Sequence, residues 1–222
     1  VEWMHYIFTY HLFLQGQIPT LDNQMTQNGC PQVAGIDQFY SDVATGKLPA
    51  FTFLEPIWIA MSGTSSYHPG GDLVPGEQNL LKIFNALQSG PAWDETLFVI
   101  TFDEHGGIYD HVPPPYAEKP YPNDSSDGFN FDIMGVRVPT ILISPLIGEK
   151  TVFRSETPVA YDSTSILATL LDWLGVPRAR WGLGDRIKKA PTFERVVNEP
   201  APRTDRVTLQ PPYDKDNPRK GQ

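Results

Sequence analysis

The stretch Thr101-Phe-Asp-Glu-His-Gly-Gly-Ile-Tyr-Asp-His111 decides how this chain is read, because it lies directly behind the apolar run Leu97-Phe-Val-Ile-Thr-Phe102. Such a run predicts a strand buried on both faces, whose C-terminal end delivers Asp103, Glu104 and His105 to the rim of a parallel sheet. Open α/β sheets bind their ligands at that rim. Two adjacent carboxylates followed by a histidine and a Gly-Gly bend need a partner or water, since unpaired buried charge is strongly disfavoured. A hard cation is the simplest such partner. The plainer reading is a solvated loop in which Gly106-Gly107 makes the turn. Against it, Tyr109-Asp110-His111 brings polar groups back within one short loop, and Val112-Pro-Pro-Pro115 stiffens the exit.

Upstream, Trp3 to Phe13 reads as a strand, and Gln15 to Gly35 as a polar connection. Ile36, Phe39, Tyr40 and Val43 recur at helical spacing until Gly46 stops them. Ala50 to Glu55 predicts the next strand, Met61 to Pro75 a loop, and Gly76 to Gln88 a helix with Leu80, Ile83, Phe84 and Leu87 on one face. With the strand that ends before Asp103, this makes a β-loop-α-β unit of parallel type. Downstream, Asp103 to Gly135 is a long Pro-, Tyr-, Asn- and Asp-rich excursion of the kind that is functional or mobile in compact domains. Val138 to Ser144 predicts another buried strand. Asp162 or Ser163 caps a helix carrying Ile166, Leu167, Leu170 and Trp173, which ends at Gly175. Residues 1–200 are expected to belong to one domain and 201–222 to form a frayed tail.

The chain has 222 residues, 17 of them Lys or Arg and 26 Asp or Glu, for a formal net charge of -9. That balance opposes generic binding to nucleic acid, whose phosphates require clustered cations. No stretch approaches the roughly 20 apolar residues of a membrane span. The opening Val1-Glu-Trp-Met-His5 lacks the basic and apolar segments of a signal peptide. Cys30 is the single cysteine, so no disulfide forms within the chain, and nothing beside it marks a reactive thiol.

Read as TFDEHGGIYDHVPP, Thr101 to Pro114 resembles the signature of the phosphoesterase family that contains bacterial and plant non-specific phospholipases C and certain acid phosphatases. The resemblance continues through Gly46-Lys-Leu-Pro-Ala-Phe-Thr-Phe-Leu-Glu-Pro56, Tyr67-His-Pro69, Gly76-Glu-Gln78 and Gly135-Val-Arg-Val-Pro-Thr-Ile-Leu-Ile-Ser-Pro145, covering most of residues 40 to 175. It implies an alkaline-phosphatase-like α/β fold, a mostly parallel sheet flanked by helices. It also implies a hydrolase of phosphate esters, with phospholipid head groups as the favoured substrates and peripheral contact with a membrane. A secreted or periplasmic location follows from the resemblance alone. The alternatives are an acid phosphatase acting on soluble monoesters and a non-catalytic metal-binding or interaction module.

By the same resemblance Asp103 and Glu104 ligate a divalent metal ion. Oxygen ligands alone fit calcium, magnesium or manganese, and nearby histidines leave zinc or iron open. His68 matches the family's His-Pro, where it would donate to a phosphoryl oxygen or protonate the leaving alkoxide. His105 ranks above His111 as a catalytic or orienting residue because it adjoins the carboxylates. Glu55 is either a ligand or a simple strand-end acid. Ser62, Thr64 and Ser65 are hydroxyls in the His68 loop that nothing aligns as nucleophiles. The chain departs from the family pattern at Tyr67, where an acid is common, and at Ser163, where a histidine is common; each departure bears on a metal subsite. The family's acid-Asn metal pair and its Ser or Thr nucleophile have no match in these residues, so the chain is expected to be the C-terminal half of a catalytic domain.

Overall fold

In the computed structural model, which describes residues 3–7, 33–58, 64–123 and 125–211, strand β1 (Trp3–Ile7) lies between β2 (Val33–Gly35) and β3 (Phe51–Leu54), and both ladders are parallel. Tyr6 sits at the centre of this sheet, opposite Ala34 on one side and Leu54 on the other. Helix α1 (Ile36–Thr45) follows β2 without a break and lays Phe39 and Val43 inward, as the spacing predicts. Its end is fixed by Gly46 at φ 67°, a left-handed conformation that glycine adopts without steric cost, and the Lys47 N–H bonds the Asp42 carbonyl. Helix α2 (Val74–Ser89) buries Ile83, Phe84 and Leu87. It begins two residues earlier than the apolar pattern, because Pro75 fits the first turn, where its missing N–H is not needed.

The chain divides into two compact units, one of Val1–Thr96 with Thr204–Gln222 and the other of Leu97–Arg203. In the second unit β4 (Phe98–Ile100) pairs with β5 (Ile141–Ile143), and the ladder is antiparallel. This departs from the expected parallel unit: among the described residues β3 has a ladder only with β1, and β4 only with β5. Both faces of β4 are half-buried rather than buried, and Ile141 of β5 is exposed. The observed architecture is therefore mixed α/β, with a three-stranded parallel sheet and a two-stranded antiparallel one.

Helix α3 (Ser163–Trp173) starts with a capping box. The Asp162 carboxylate accepts from the Thr164 N–H at 2.8 Å, and the Ser165 hydroxyl accepts from the Asp162 N–H at 3.2 Å. Its fully buried side is made of Ser165, Ala168 and Thr169, whereas Trp173 is exposed. The Thr169 hydroxyl donates to the Ser165 carbonyl at 2.7 Å and accepts from the Phe193 N–H at 3.1 Å, which satisfies a buried backbone donor. Ala168, Trp181, Ile187 and Ala190 form one apolar cluster, joining α3 to the short helix α4 (Asp185–Lys189). Ile147, Phe193 and Val196 form a second, against which Leu142 and Ile166 pack.

The long excursion is anchored. Tyr116 and Ile133 make an antiparallel bridge, Arg186 donates to the carbonyls of Glu118 and Phe131, and Lys189 pairs with Glu118 at 2.6 Å. Past Arg203, Val207 bonds the Gln88 side chain through both its N–H and its carbonyl at 2.9 Å. Cys30, Ser62, the segment from Phe8 to Phe13 and the tail from 212 to 222 lie outside the described residues.

Candidate active site

Strand β4 ends at Ile100, and the ladder is carried one rung further by a hydroxyl contact, Thr101 Oγ1 to Thr140 Oγ1 at 2.9 Å. The chain then turns away. Asp103 Oδ1 accepts from the Glu104 N–H at 3.1 Å, and Glu104 Oε2 accepts from the Gly106 N–H at 2.6 Å. Gly106 and Gly107 follow at φ 66° and 71°, and the Ile108 N–H closes back on the His105 carbonyl at 3.2 Å. Two consecutive positive φ values mark a type I′ turn, which requires residues tolerant of the left-handed region. The sequence therefore folds Asp103, Glu104 and His105 onto one tight bend just beyond the strand.

All three are solvent-accessible. His105 Nδ1 lies 3.7 Å from Glu104 Oε2, so the imidazole is next to the carboxylate and too far for a good hydrogen bond. Asp103 Oδ2 and Glu104 Oε1 accept no hydrogen bond from any described residue. The donor set is thus two carboxylates, each with an uncommitted oxygen, and this chemistry fits a hard divalent cation. Among the described residues no cluster of three Asp, Glu, His or Cys side chains that could hold a metal ion forms.

Asp110, at the far end of the same motif, is engaged differently. Arg137 grips it through both oxygens, Nε to Oδ2 at 2.6 Å and Nη2 to Oδ1 at 2.7 Å, and the Val112 N–H donates to Oδ1 at 3.0 Å. The Arg137 hydrogen bonds, with that backbone bond, hold the Asp110 carboxyl well below the usual carboxylate range. His111 is exposed, with Nδ1 3.7 Å from Asp110. Sequence reasoning passed over Arg137. Its only signal was a lone cation in the polar approach to β5, the strand that proves to pair with β4.

His68 belongs to the first unit. Its loop is fastened to the exit of β3 by a reciprocal pair of bonds, Ser65 N–H to the Ile57 carbonyl at 2.9 Å and Ile57 N–H to the Ser65 hydroxyl at 2.8 Å. Ser65 is buried and spent on this anchor, and Ser66, also buried, accepts from the His68 N–H at 3.1 Å. Tyr67 donates to Glu77 at 2.5 Å; burial first, and then Glu77, pushes its hydroxyl well above the usual phenol range, so it remains a donor. The His68 ring is exposed, and its Nδ1 stands 3.0 Å from the Pro69 carbonyl. A carbonyl only accepts, so as a hydrogen bond this contact requires the proton on Nδ1. Glu55 is half-buried directly after β3, and its N–H reaches the Tyr6 carbonyl at 3.5 Å.

These features define an α/β protein with an acidic strand-end site and a loop-borne histidine. The chain belongs to the phosphoesterase family, whose model matches residues 5–177. Non-specific phospholipase C6 of Arabidopsis thaliana is 40% identical over 179 residues, an alignment covering 76% of this chain and 34% of that protein. Non-specific phospholipase C4 of the same plant is 37% identical over 178 residues, covering 76% and 32%. Phospholipase C A of Mycobacterium tuberculosis is 30% identical over 152 residues, covering 63% and 28%. The chain spans about a third of the length of these curated relatives. No helix among the described residues is long and apolar enough to cross a membrane.

Proposed function

We propose that the protein is a divalent-metal-dependent phosphoric ester hydrolase that acts, as its relatives are named, as a phospholipase C on phospholipid head groups. The observation that carries this reading is the uncommitted oxygen on each of Asp103 and Glu104, at the end of β4 and inside the matched family region. When bound there, the metal would polarise the phosphoryl oxygens and offset charge developing on them. Asp103 and Glu104 would hold it, on the bend that Gly106-Gly107 closes. Attack at phosphorus by a hydroxyl, whose proton passes to solvent, would form the new P–O bond and break the bond to the leaving alkoxide. By its match to the family's His-Pro, His68 would donate a proton to that alkoxide. His105, whose Nδ1 lies 3.7 Å from Glu104 Oε2, would orient that carboxylate. We further infer an alkaline-phosphatase-like α/β fold with a mostly parallel sheet.

Asp103→Asn tests this reading. It should remove most bound metal and activity while the circular dichroism spectrum and unfolding midpoint stay as in the wild type, because the side chain is exposed and supports only its neighbour's N–H. Equal metal content in the two proteins by elemental analysis would contradict the assignment. Phosphatidylcholine and p-nitrophenyl phosphate, assayed side by side, separate a lipid phosphodiesterase from a soluble monoesterase. A second reading, metal binding without turnover, draws on the absence of a third ligand among the described residues, and metal uptake with no hydrolysis of either compound would establish it.

A further inference from the structure

We propose that Asp110 and Arg137 are positioning residues, a clasp that fixes the loop carrying the metal carboxylates and keeps the Arg137 guanidinium away from them. The proposal rests on the assignment of Asp103 and Glu104 as metal ligands. Its geometric basis is the way the loop is tied. The loop leaves β4 at Thr101, fastened to Thr140, and is fastened again at Asp110, to Arg137. Both ends of the ten-residue stretch are thus bound to the four-residue approach to β5, Arg137 to Thr140. Closing a loop at both ends removes much of its freedom before any ligand arrives, so less order has to be imposed on binding.

The register gives the clasp a second effect. The β4–β5 ladder pairs Phe98 with Ile143, Val99 with Leu142 and Ile100 with Ile141, and Thr101 touches Thr140 in step. Carried on unchanged, that register would set Glu104 opposite Arg137. The loop diverts instead, and Asp110 takes the guanidinium with both of its oxygens. A planar guanidinium matches a carboxylate in this two-bond geometry better than an ammonium does. Glu104 is left with an oxygen uncommitted. Asp110 therefore neutralises the one cation that the fold's own register aims at a metal carboxylate.

The test uses manganese(II) alone as the probe, with titration calorimetry on the full chain, and amide hydrogen exchange on the metal-free protein. Arg137→Gln should speed exchange at residues 103 to 112 and leave α1 unchanged, and it should weaken manganese binding about 10- to 100-fold, the usual effect of removing a group that orients a metal ligand. Arg137→Lys keeps the charge without the fork and should fall between Gln and wild type. Asp110→Asn should weaken binding more than Arg137→Gln does, because it frees the guanidinium to pair with Glu104. The exchanged pair, Asp110→Arg with Arg137→Asp, should restore affinity to within a few-fold of wild type, a rescue that generic destabilisation would not produce. Wild-type exchange at 103 to 112 in Arg137→Gln overturns the clasp. Unchanged manganese affinity in both Asp110→Asn and Arg137→Gln, in a wild type that binds the ion, overturns its effect on the site. If the wild type binds no manganese and Asp103→Asn retains its metal content, the ligand assignment fails, and the exchange measurement still decides whether the loop is clasped.

Discussion

Asp42 and the pair Asp103–Glu104 are carboxylates put to opposite uses. Asp42 is buried on α1, its Oδ2 accepting from the Tyr6 hydroxyl at 2.7 Å and its Oδ1 from the Gln38 amide at 2.7 Å. Burial, then Asp42 itself, pushes the Tyr6 hydroxyl well above the usual phenol range, so it stays protonated and donating. Every strong acceptor there is answered from within the fold. Asp103 and Glu104 are exposed, answered only by backbone N–H groups of their own bend, and each keeps an oxygen uncommitted. Asp110 belongs with Asp42 in chemistry, since both its oxygens are engaged, and with Asp103 in location. An acid whose oxygens are used up by the fold holds the fold; an acid left open at a strand end is available to a ligand.

The contrast predicts that changes at open groups alter chemistry and spare stability, and that a change at an engaged acid away from the strand end, such as Asp42, does the reverse. The largest effect should fall on His68, whose ring is exposed and, among the described residues, bonded only to Pro69. His68→Ala should lower kcat by about 10² to 10⁴-fold, the range for a positioned proton donor, with a stability change under roughly 1 kcal/mol. Wild-type kcat/KM for the variant at both pH 5 and pH 8 would show His68 to be a surface histidine.

Asp42→Ala should do the reverse. It strands the Tyr6 hydroxyl in a site where that side chain is 0% exposed, and an unanswered buried polar group costs about 1–3 kcal/mol. Urea unfolding reads this directly, and metal content should stay as in the wild type. A variant as stable as the wild type would mean that Tyr6 finds another acceptor and that the Asp42 bonds contribute little.

Much of this division was legible in the chain. The apolar run before Asp103 located β4 and the acids beyond it, and the periods of α1, α2 and α3 located the helices. The direction of pairing was not legible, because a short apolar run reports burial and says nothing of which strand lies beside it. β2 was absorbed into a polar connection, since Val33-Ala-Gly35 has too few residues to show an alternation and becomes a strand only by pairing with β1. The inward side of α3 was read from its large apolar residues, yet Ser165, Ala168 and Thr169 fill it, small side chains whose hydroxyls are answered locally. The Asp110–Arg137 clasp joins residues 27 apart, and only the fold brings them together.

The smallest effect tests the same division on Asp162, which caps α3. Its Oδ1 accepts from the Thr164 N–H at 2.8 Å and from the Thr164 hydroxyl at 2.5 Å, so its charge serves the first turn of α3, where exposed N–H groups favour an anion. Removing such a cap costs about 0.5–2 kcal/mol. Asp162→Ala should therefore lower the unfolding free energy by about 1 kcal/mol, and Asp162→Asn, which keeps a capping oxygen, should recover most of it. Neither change should alter bound metal. Loss of metal in Asp162→Ala at an unchanged unfolding midpoint would move Asp162 from the engaged acids to the open ones.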